Sequence, residues 1–117
     1  MPLIQILTSA ESPSPKERTS LLRELSRSLA SHFGKPEKWV MTCLETGVAM
    51  TFGGEEAPAC FAAVKNVGEL DPGATAAISK DLCGRLSKGL GVPPERVYIE
   101  FTPAKGWLWG WNGETFG

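Results

Sequence analysis

The feature that most constrains the fold of this 117-residue chain is an internal repeat, because its two halves match at an offset of 57 residues (Pro15 to Pro72). Turn-forming and apolar residues recur in one register, which chance explains poorly. The matched pairs are Pro15 and Pro72, Leu21 and Ile78, Leu25 and Leu82, Leu29 and Leu86, Phe33 and Leu90, Gly34 and Gly91, Pro36 and Pro93, and Val40 and Val97. The chain is therefore expected to contain two copies of one structural motif.

The first copy has the pattern of a strand, a helix and a second strand. Residues 3–7 and 40–44 are apolar runs of strand length. Between them Ser14 is a suitable helix N-cap, Glu17 completes a capping box with it, and Gly34 ends the helix. The apolar stripe of this helix consists of Leu21, Leu22, Leu25, Leu29 and Phe33.

The second copy repeats the pattern. Residues 60–64 and 97–101 are the predicted strands, Asp71 and Pro72 open the helix between them, and Gly91 closes it. The apolar stripe of this helix consists of Ile78, Leu82, Leu86 and Leu90.

A strand–helix–strand connection within one sheet is parallel and right-handed in nearly all cases. Two such units predict an α+β fold, in which two tandem βαβ repeats form a four-stranded mixed sheet with both helices on one face. The length fits a single domain, residues 1–117, with pseudo-repeats at about 2–56 and 59–116.

The strands also predict an assembly. They carry apolar residues at successive positions, such as Leu3 with Ile4 and Ile6 with Leu7, so both faces of the sheet are expected to be buried. Two helices cover only one face, and the other is predicted to pack against further copies of the chain in a closed ring. The alternative is that the tail, residues 107–116, folds back over the sheet.

Composition and charge limit the partners. Twelve basic and thirteen acidic residues leave a net charge of -1, and no run of Lys or Arg favours nucleic acid. No apolar stretch reaches the roughly 20 residues that cross a bilayer, so no membrane partner is predicted. The start of the chain lacks the features of a signal peptide. The cytoplasm is the expected location, with export by a non-classical route left open.

The cysteines and the histidine offer little chemistry. Cys43, Cys60 and Cys83 form no C-x-x-C pair, which argues against a disulfide framework or a zinc site. All three lie in apolar sequence and are expected to be buried. The one histidine, His32, is expected at a helix end in a solvated or dipole-stabilised position. No metal or cofactor is predicted.

Pro2 is the sharpest candidate for chemistry. An initiator Met before a small residue is normally removed, and removal of Met1 leaves a secondary amine at the start of an apolar strand. An unperturbed α-amino group has a pKa near ~8, which burial and a nearby cation both lower. Such a base can take a proton from a carbon next to a carbonyl group. Many ordinary proteins also begin with Met-Pro, and an attached Met1 acylates the nitrogen.

Two further segments are candidates for the same site. Lys35 lies between Gly34 and Pro36, and it either caps the helix carbonyls or holds an anionic substrate and lowers the pKa of Pro2. The second copy has Val92 at the equivalent position, so the repeat does not account for the lysine. The tail holds three of the four tryptophans, interrupted by Gly and Asn, and is predicted to form short extended pieces joined by turns. Its aromatic side chains serve core or subunit contacts, a pocket for an aromatic ligand, or both.

Six segments resemble those of the macrophage migration inhibitory factor and D-dopachrome tautomerase family, in the family's order along the whole chain. They read MPLI (1–4), GKPEKWV (34–40), MTFGG (50–54), VKNVG (64–68), GVPPERVYI (91–99) and GWNGETF (110–116). The resemblance implies two βαβ repeats in a symmetric homotrimer. It further implies a keto–enol tautomerase, an isomerase that acts on phenylpyruvate-like and dopachrome-like carbonyl acids.

The resemblance also implies the site, position by position. Pro2 is similar to the catalytic base, and Lys35 with the backbone of Val67 resembles the pair that binds the substrate carboxylate. Tyr98, from a neighbouring subunit, resembles a pocket wall. The other residues that the resemblance places in the pocket are Leu3, Glu100, Trp109, Trp111 and Phe116.

Three departures from the family pattern bear on activity. Ala59 and Ala62 stand where many animal members have a C-x-x-C, so thiol–disulfide activity is not expected. Glu100 stands where a neutral Asn is familiar, and an acidic group there opposes an anionic substrate and raises the pKa of the base. Trp39 and Trp109 are bulky, which narrows the pocket mouth.

Two other functions stay open at this point. One is a signalling or receptor-binding protein of the same family, with vestigial catalysis and an unknown receptor. The other is a different proline-dependent reaction, such as hydration or decarboxylation of a small unsaturated acid. Intact Pro2 and Lys35 favour an enzyme over a vestigial site.

Overall fold

The computed structural model describes residues 1–117 and confirms two βαβ units. The helices and strands are β1 (Leu3–Thr8), α1 (Pro15–Phe33), β2 (Met41–Glu45), β3 (Cys60–Val67), α2 (Pro72–Leu90), β4 (Val97–Ala104), β5 (Gly110–Trp111) and β6 (Glu114–Thr115). Both helices have 19 residues, and a short 3-10 turn precedes β2 and β4 at equivalent positions, Glu37–Trp39 and Pro94–Arg96. The offset found in the sequence is therefore an offset between whole structural elements.

Local signals set the helix ends. The side chains of Ser14 and Asp71 accept hydrogen bonds from the backbone N–H groups of Glu17 and Ala74, as helix N-caps do. The carboxylate of Glu17 accepts the hydroxyl of Ser14 at 2.8 Å, so the capping box closes through the side chains. Gly34 ends α1 in the left-handed conformation, at φ 60° and ψ 35°, which a residue without a Cβ adopts freely.

The sheet has the strand order β2-β1-β3-β4 and is mixed, as predicted. β1 pairs with β2 and β3 pairs with β4 in parallel, one pair from each repeat. The repeats join through the antiparallel ladder of β1 and β3, in which Leu3 lies opposite Lys65 and Thr8 opposite Cys60. The start of β1 therefore lies beside the end of β3.

One face of the sheet carries both helices. Alternate side chains of β1 and β3 point into a core that they share with the apolar stripes of α1 and α2. The main members of this core are Ile4, Ile6, Leu25, Leu29, Val64, Ile78, Leu82 and Leu86, all at most 1% exposed. The prediction that both helices lie on one face is confirmed.

The opposite face is open in the single chain, and its composition differs from the expectation. Its three rows are Met41, Leu3, Lys65 and Thr102; Cys43, Gln5, Ala63 and Glu100; and Glu45, Leu7, Phe61 and Tyr98. Charged and amide side chains interrupt the apolar ones, so this face is mixed rather than apolar. Met41 and Tyr98, at opposite corners, are each 64% exposed. The tail borders the Met41 end and leaves the Tyr98 end uncovered.

The expectation that all three cysteines are buried needs correction. Cys43 is exposed, because its position in β2 alternates onto the open face, and Cys83 is half-buried. Only Cys60 is buried in the core. His32 is exposed in the last turn of α1, as expected, and its Nε2 also lies 2.9 Å from the carboxylate of Asp81 in α2. Neither helix is both long and apolar enough to cross a membrane.

The contact between the helices makes a prediction about two glycines of α2. A Cβ at Gly89 meets Cδ1 of Leu21 at 2.8 Å, whereas a Cβ at Gly84 meets nothing within 4 Å. Gly84→Ala should raise the free energy of unfolding by up to ~1 kcal/mol through helix propensity. Gly89→Ala should lower it by about 1 kcal/mol, because overpacking against buried Leu21 outweighs the same gain. Thermal unfolding at matched protein concentration measures both, and equal stabilisation by the two changes contradicts the close approach.

Candidate active site at the start of the first strand

A cleft of about 430 Å³ opens where β1 begins. Its walls come from the start of the chain, the segment before β2 and the tail. The residues that line it are Met1, Pro2, Leu3, Lys38, Trp39, Val40, Met41, Trp109, Gly110, Trp111 and Phe116. Five of the predicted site residues, Pro2, Leu3, Trp109, Trp111 and Phe116, are therefore brought together. Most of the lining is apolar, as is typical of a pocket for a small organic molecule.

An aromatic cluster forms the far wall. The ring of Trp39 meets Trp111 edge-on at 4.8 Å and Phe116 edge-on at 6.0 Å, and both are favourable aromatic geometries. The tail reaches this position through the hairpin of β5 and β6, whose turn residues Asn112 and Gly113 both have positive φ, as a type I′ turn requires. The prediction of short extended pieces joined by a turn is confirmed for this part of the tail.

Lys35 does not line the cleft, but it interacts with the terminal amine of Met1, which does. The left-handed turn at Gly34 redirects the chain after α1, and the backbone N–H of Lys35 donates to Ala30 at 3.0 Å. The side chain then runs to the end of β3, where its Nζ donates to the carbonyl oxygen of Val67 at 3.0 Å. The two residues are thus in direct contact, although 32 positions separate them in the sequence. Val92, the equivalent of Lys35, is buried in the core instead.

The electrostatics favour a neutral amine. Burial, the charge of Lys35 and a hydrogen bond with Lys35 lower the pKa of the terminal amine of Met1 from 8.0 to about 6. The cause is general, since both desolvation and a neighbouring cation disfavour an ammonium ion. The terminal amine of Met1 is therefore largely unprotonated at neutral pH.

Two predicted residues lie elsewhere in the single chain. Tyr98 stands opposite Phe61 at the far end of the open face, and its ring packs on Phe52 at 4.8 Å. Glu100 is exposed in the middle row of the same face, opposite Ala63. Neither lines the cleft at Pro2 within one chain.

Lys38 is a cleft residue that sequence reasoning missed. It is the only charged side chain among the lining residues, and its Nζ lies 5.1 Å from the centre of the Trp39 ring, within the range of a cation–π contact. Its place within the motif GKPEKWV was visible, but no periodicity marks it, because it lies in a 3-10 turn of three residues.

Other nucleophiles and ligands are poorly placed. Burial, and then the neighbouring Cys83, raise the pKa of the Cys60 thiol to about 11, so it carries little thiolate at neutral pH. His32 lies on the helix layer with Asp81. No group of three or more His, Cys, Asp or Glu side chains is positioned to hold a metal ion.

Comparisons with known proteins show which family this chain resembles. The family described as macrophage migration inhibitory factor (MIF) matches residues 1–117. A macrophage migration inhibitory factor homolog of Trichuris trichiura is 34% identical over 116 residues, covering 99% of this chain and all of that protein. The protein of that name from Rattus norvegicus is 33% identical, with 99% of each chain covered.

Solved structures give the same result. The crystal structure of a macrophage migration inhibitory factor homologue from Prochlorococcus marinus superposes with a TM-score of 0.94 at 47% identity, covering 98% of this chain and 99% of that one. The structure of Leishmania major MIF2 superposes with a TM-score of 0.89 at 30% identity, covering 99% of this chain and 97% of that one.

Proposed function

The chain belongs to the macrophage migration inhibitory factor family, and we propose that it is a keto–enol tautomerase whose general base is the amine of Pro2. The substrates are phenylpyruvate-like and dopachrome-like carbonyl acids. The observation that carries the proposal is the pairing of Lys35 with the end of β3 beside an aromatic cleft that Pro2 lines. Lys38 is the only charged side chain that lines this cleft.

The base requires removal of Met1. While Met1 is attached, the nitrogen of Pro2 is an amide without a usable lone pair. Cleavage converts it into a secondary amine held by β1, next to the position where the terminal amine already has a pKa of about 6. A base with a pKa just below the working pH combines a neutral population with useful basicity.

Lys35 supports the anionic end of the substrate. Its ammonium group has three N–H donors, and one of them is used by the carbonyl oxygen of Val67. Once Met1 has been removed, the other two are available for a carboxylate, in charge-assisted hydrogen bonds. The same positive charge keeps the Pro2 amine neutral, so Lys35 serves binding and the protonation state together.

The reaction is a proton shift within the substrate. The Pro2 amine takes a proton from the carbon next to the keto group, the electrons of that C–H bond form the C=C bond, and the keto oxygen gains a proton from solvent. In the reverse direction, the prolinium ion returns its proton to carbon. The aromatic wall of Trp39, Trp111 and Phe116 suits an aryl side chain, because apolar rings pack well there.

The assembly belongs to the same proposal. A homotrimer places Tyr98 and Glu100 of one subunit at the cleft of the next, in keeping with their exposure on the open face. Met41 and Tyr98 are the most exposed large hydrophobic side chains of the open face. Contact with a neighbouring subunit would bury them, which favours such an assembly. The cytoplasm remains the expected location.

Pro2→Gly tests the base. It keeps a terminal amine but loses the secondary one, so kcat/KM for phenylpyruvate should fall by about 10- to 100-fold, within the range of general-base contributions. Pro13→Gly, in the loop before α1, is the matched control. Intact-protein mass must confirm that Met1 is absent in each preparation. Unchanged kinetics in processed Pro2→Gly would show that Pro2 is not the base. The protein would then be a binding protein with this fold.

Lys35→Ala tests the carboxylate site. KM for an aryl pyruvate should rise about tenfold, equivalent to ~1.4 kcal/mol, because the partner of the carboxylate is lost. The pKa of the Pro2 amine should also rise, which moves the acid limb of the pH–rate profile to higher pH. Lys80→Ala, on exposed α2, is the control for loss of one positive charge. Equal effects of both changes indicate a bulk charge effect instead of a site.

Glu100→Asn tests the contribution of a neighbouring subunit. Removing a negative charge from the cleft should lower the pKa of the Pro2 amine by about one unit, or ~1.4 kcal/mol, and tighten binding of the acid. Glu45→Gln, on the same face in β2, is the control. Sedimentation at micromolar concentration must give three chains for each variant, and a stable monomer ends the shared-cleft argument.

A further inference from the structure

Asn66 is a buried amide with an unsatisfied oxygen. The residue is 3% exposed, and its Oδ1 makes no hydrogen bond with any part of the chain. Buried polar side-chain atoms almost always have a partner, so an exception requires an explanation. It is the only buried side-chain nitrogen or oxygen in this protein that has none.

The strand register places this amide beside Pro2. In the β1–β3 ladder, Leu3 lies opposite Lys65 and Ile4 opposite Val64. Continuing this register by one residue puts Pro2 opposite Asn66. Both side chains are buried, and both alternate onto the helix-covered face of the sheet. The residue that follows Asn66 is Val67, whose carbonyl oxygen holds Lys35.

The neighbours of Asn66 on the two adjacent strands are both prolines. On the other side of Asn66, its partner in β4 is Pro103, which has no N–H. Pro2 also has none while Met1 is attached, because its nitrogen is then a tertiary amide. Asn66 thus lies between two prolines, neither of which offers a hydrogen. Cleavage of Met1 changes only one of them, by creating an N–H at Pro2.

We propose that Asn66 is a positioning residue whose Oδ1 accepts the N–H of processed Pro2 and thereby directs the lone pair of the amine toward the substrate. The inference rests on the proposed function and deepens it. A neutral secondary amine has one hydrogen and one lone pair. If Asn66 binds the hydrogen, the lone pair is left for the substrate carbon. In the protonated state the second hydrogen is the one that moves.

Two opposing influences then set the basicity of Pro2. The charged side chains near it within the chain are Lys35, from the segment after α1, Lys38, from the 3-10 turn before β2, and Lys65, opposite Leu3 in β3. Lys35 lowers the pKa of the terminal amine at this place, whereas Glu100 of a neighbouring subunit raises the pKa of the Pro2 amine in the proposed trimer. Asn66 also favours the protonated amine, because a hydrogen bond to the charged form stabilises that form.

The first experiment separates positioning from a structural role. Asn66→Leu keeps the shape of the side chain and removes the acceptor. We expect kcat for phenylpyruvate to fall about tenfold with KM within twofold, since Lys35 and Val67 are untouched. The acid limb of the pH–rate profile should move to lower pH. Asn66→Asp should move it to higher pH, because a carboxylate holds the ammonium more strongly.

Thr8→Val is the matched control. Thr8 is a buried polar residue on the same face at the other end of β1, and its hydroxyl donates to Ala59 at 2.8 Å. This change should lower stability and leave the pH profile unchanged. NMR titration of the N-terminal proline nitrogen measures the pKa of the amine without any activity.

A second measurement uses Met1 itself. In protein that retains Met1, confirmed by mass, Asn66→Leu removes an unpaired buried oxygen and should raise the thermal midpoint. In processed protein it removes a hydrogen bond and should lower the midpoint. The opposite signs are the signature of the proposal, and the same sign in both forms overturns it. If Asn66→Leu does not fold, the NMR titration of Asn66→Asp decides, and an unshifted pKa overturns the inference.

The outcomes distinguish this inference from the proposed function. If Pro2→Gly loses activity but Asn66→Leu keeps a normal pH profile, the positioning role of Asn66 is contradicted and the tautomerase proposal stands. If the kinetics of Pro2→Gly are unchanged, the tautomerase proposal is contradicted. The Met1-dependent change in the stability of Asn66→Leu still tests the hydrogen bond between Asn66 and Pro2.

Discussion

The antiparallel ladder between β1 and β3 is the contact on which the rest of the structure depends. It joins the two βαβ units into one sheet, and its direction places the start of β1 beside the end of β3. Pro2 therefore lies next to Asn66, and the carbonyl oxygen of Val67 lies within reach of Lys35. A parallel arrangement of the same two strands would separate these groups by the length of a strand, roughly 20 Å for six residues.

The site arises where the two repeats differ. Equivalent glycines end both helices, yet the next residue is Lys35 in one repeat and Val92 in the other. The valine fills the core, whereas the lysine spans to β3. Trp39 and Arg96 are also equivalent: the first supports the aromatic wall, and the second donates to four backbone carbonyls of residues 52–58. The duplicated scaffold supplies rigid positions, and the unequal residues supply chemistry.

The open face explains the limits of pattern reading. Apolar neighbours in β1 suggested two apolar faces, but the side chains on the open face of the sheet also include Lys65 of β3 and Glu100 of β4. Rows across a sheet exist only when the register is fixed, and a shift of one residue exchanges the faces. The alternation along one strand therefore could not reveal that this face is mixed, nor that Tyr98 stands at the opposite end from Pro2.

The sequence by itself determined the repeat, the order of the elements, the ends of both helices and the candidacy of Pro2, Lys35 and the aromatic tail. These follow from local causes, since caps, turns and apolar stripes act over a few residues. Only the tertiary structure decided that Lys35 binds the backbone of Val67, that Trp39 packs on the tail, and that Asn66 lacks a partner. Those facts depend on strand register and on contacts between distant segments, which no local pattern encodes.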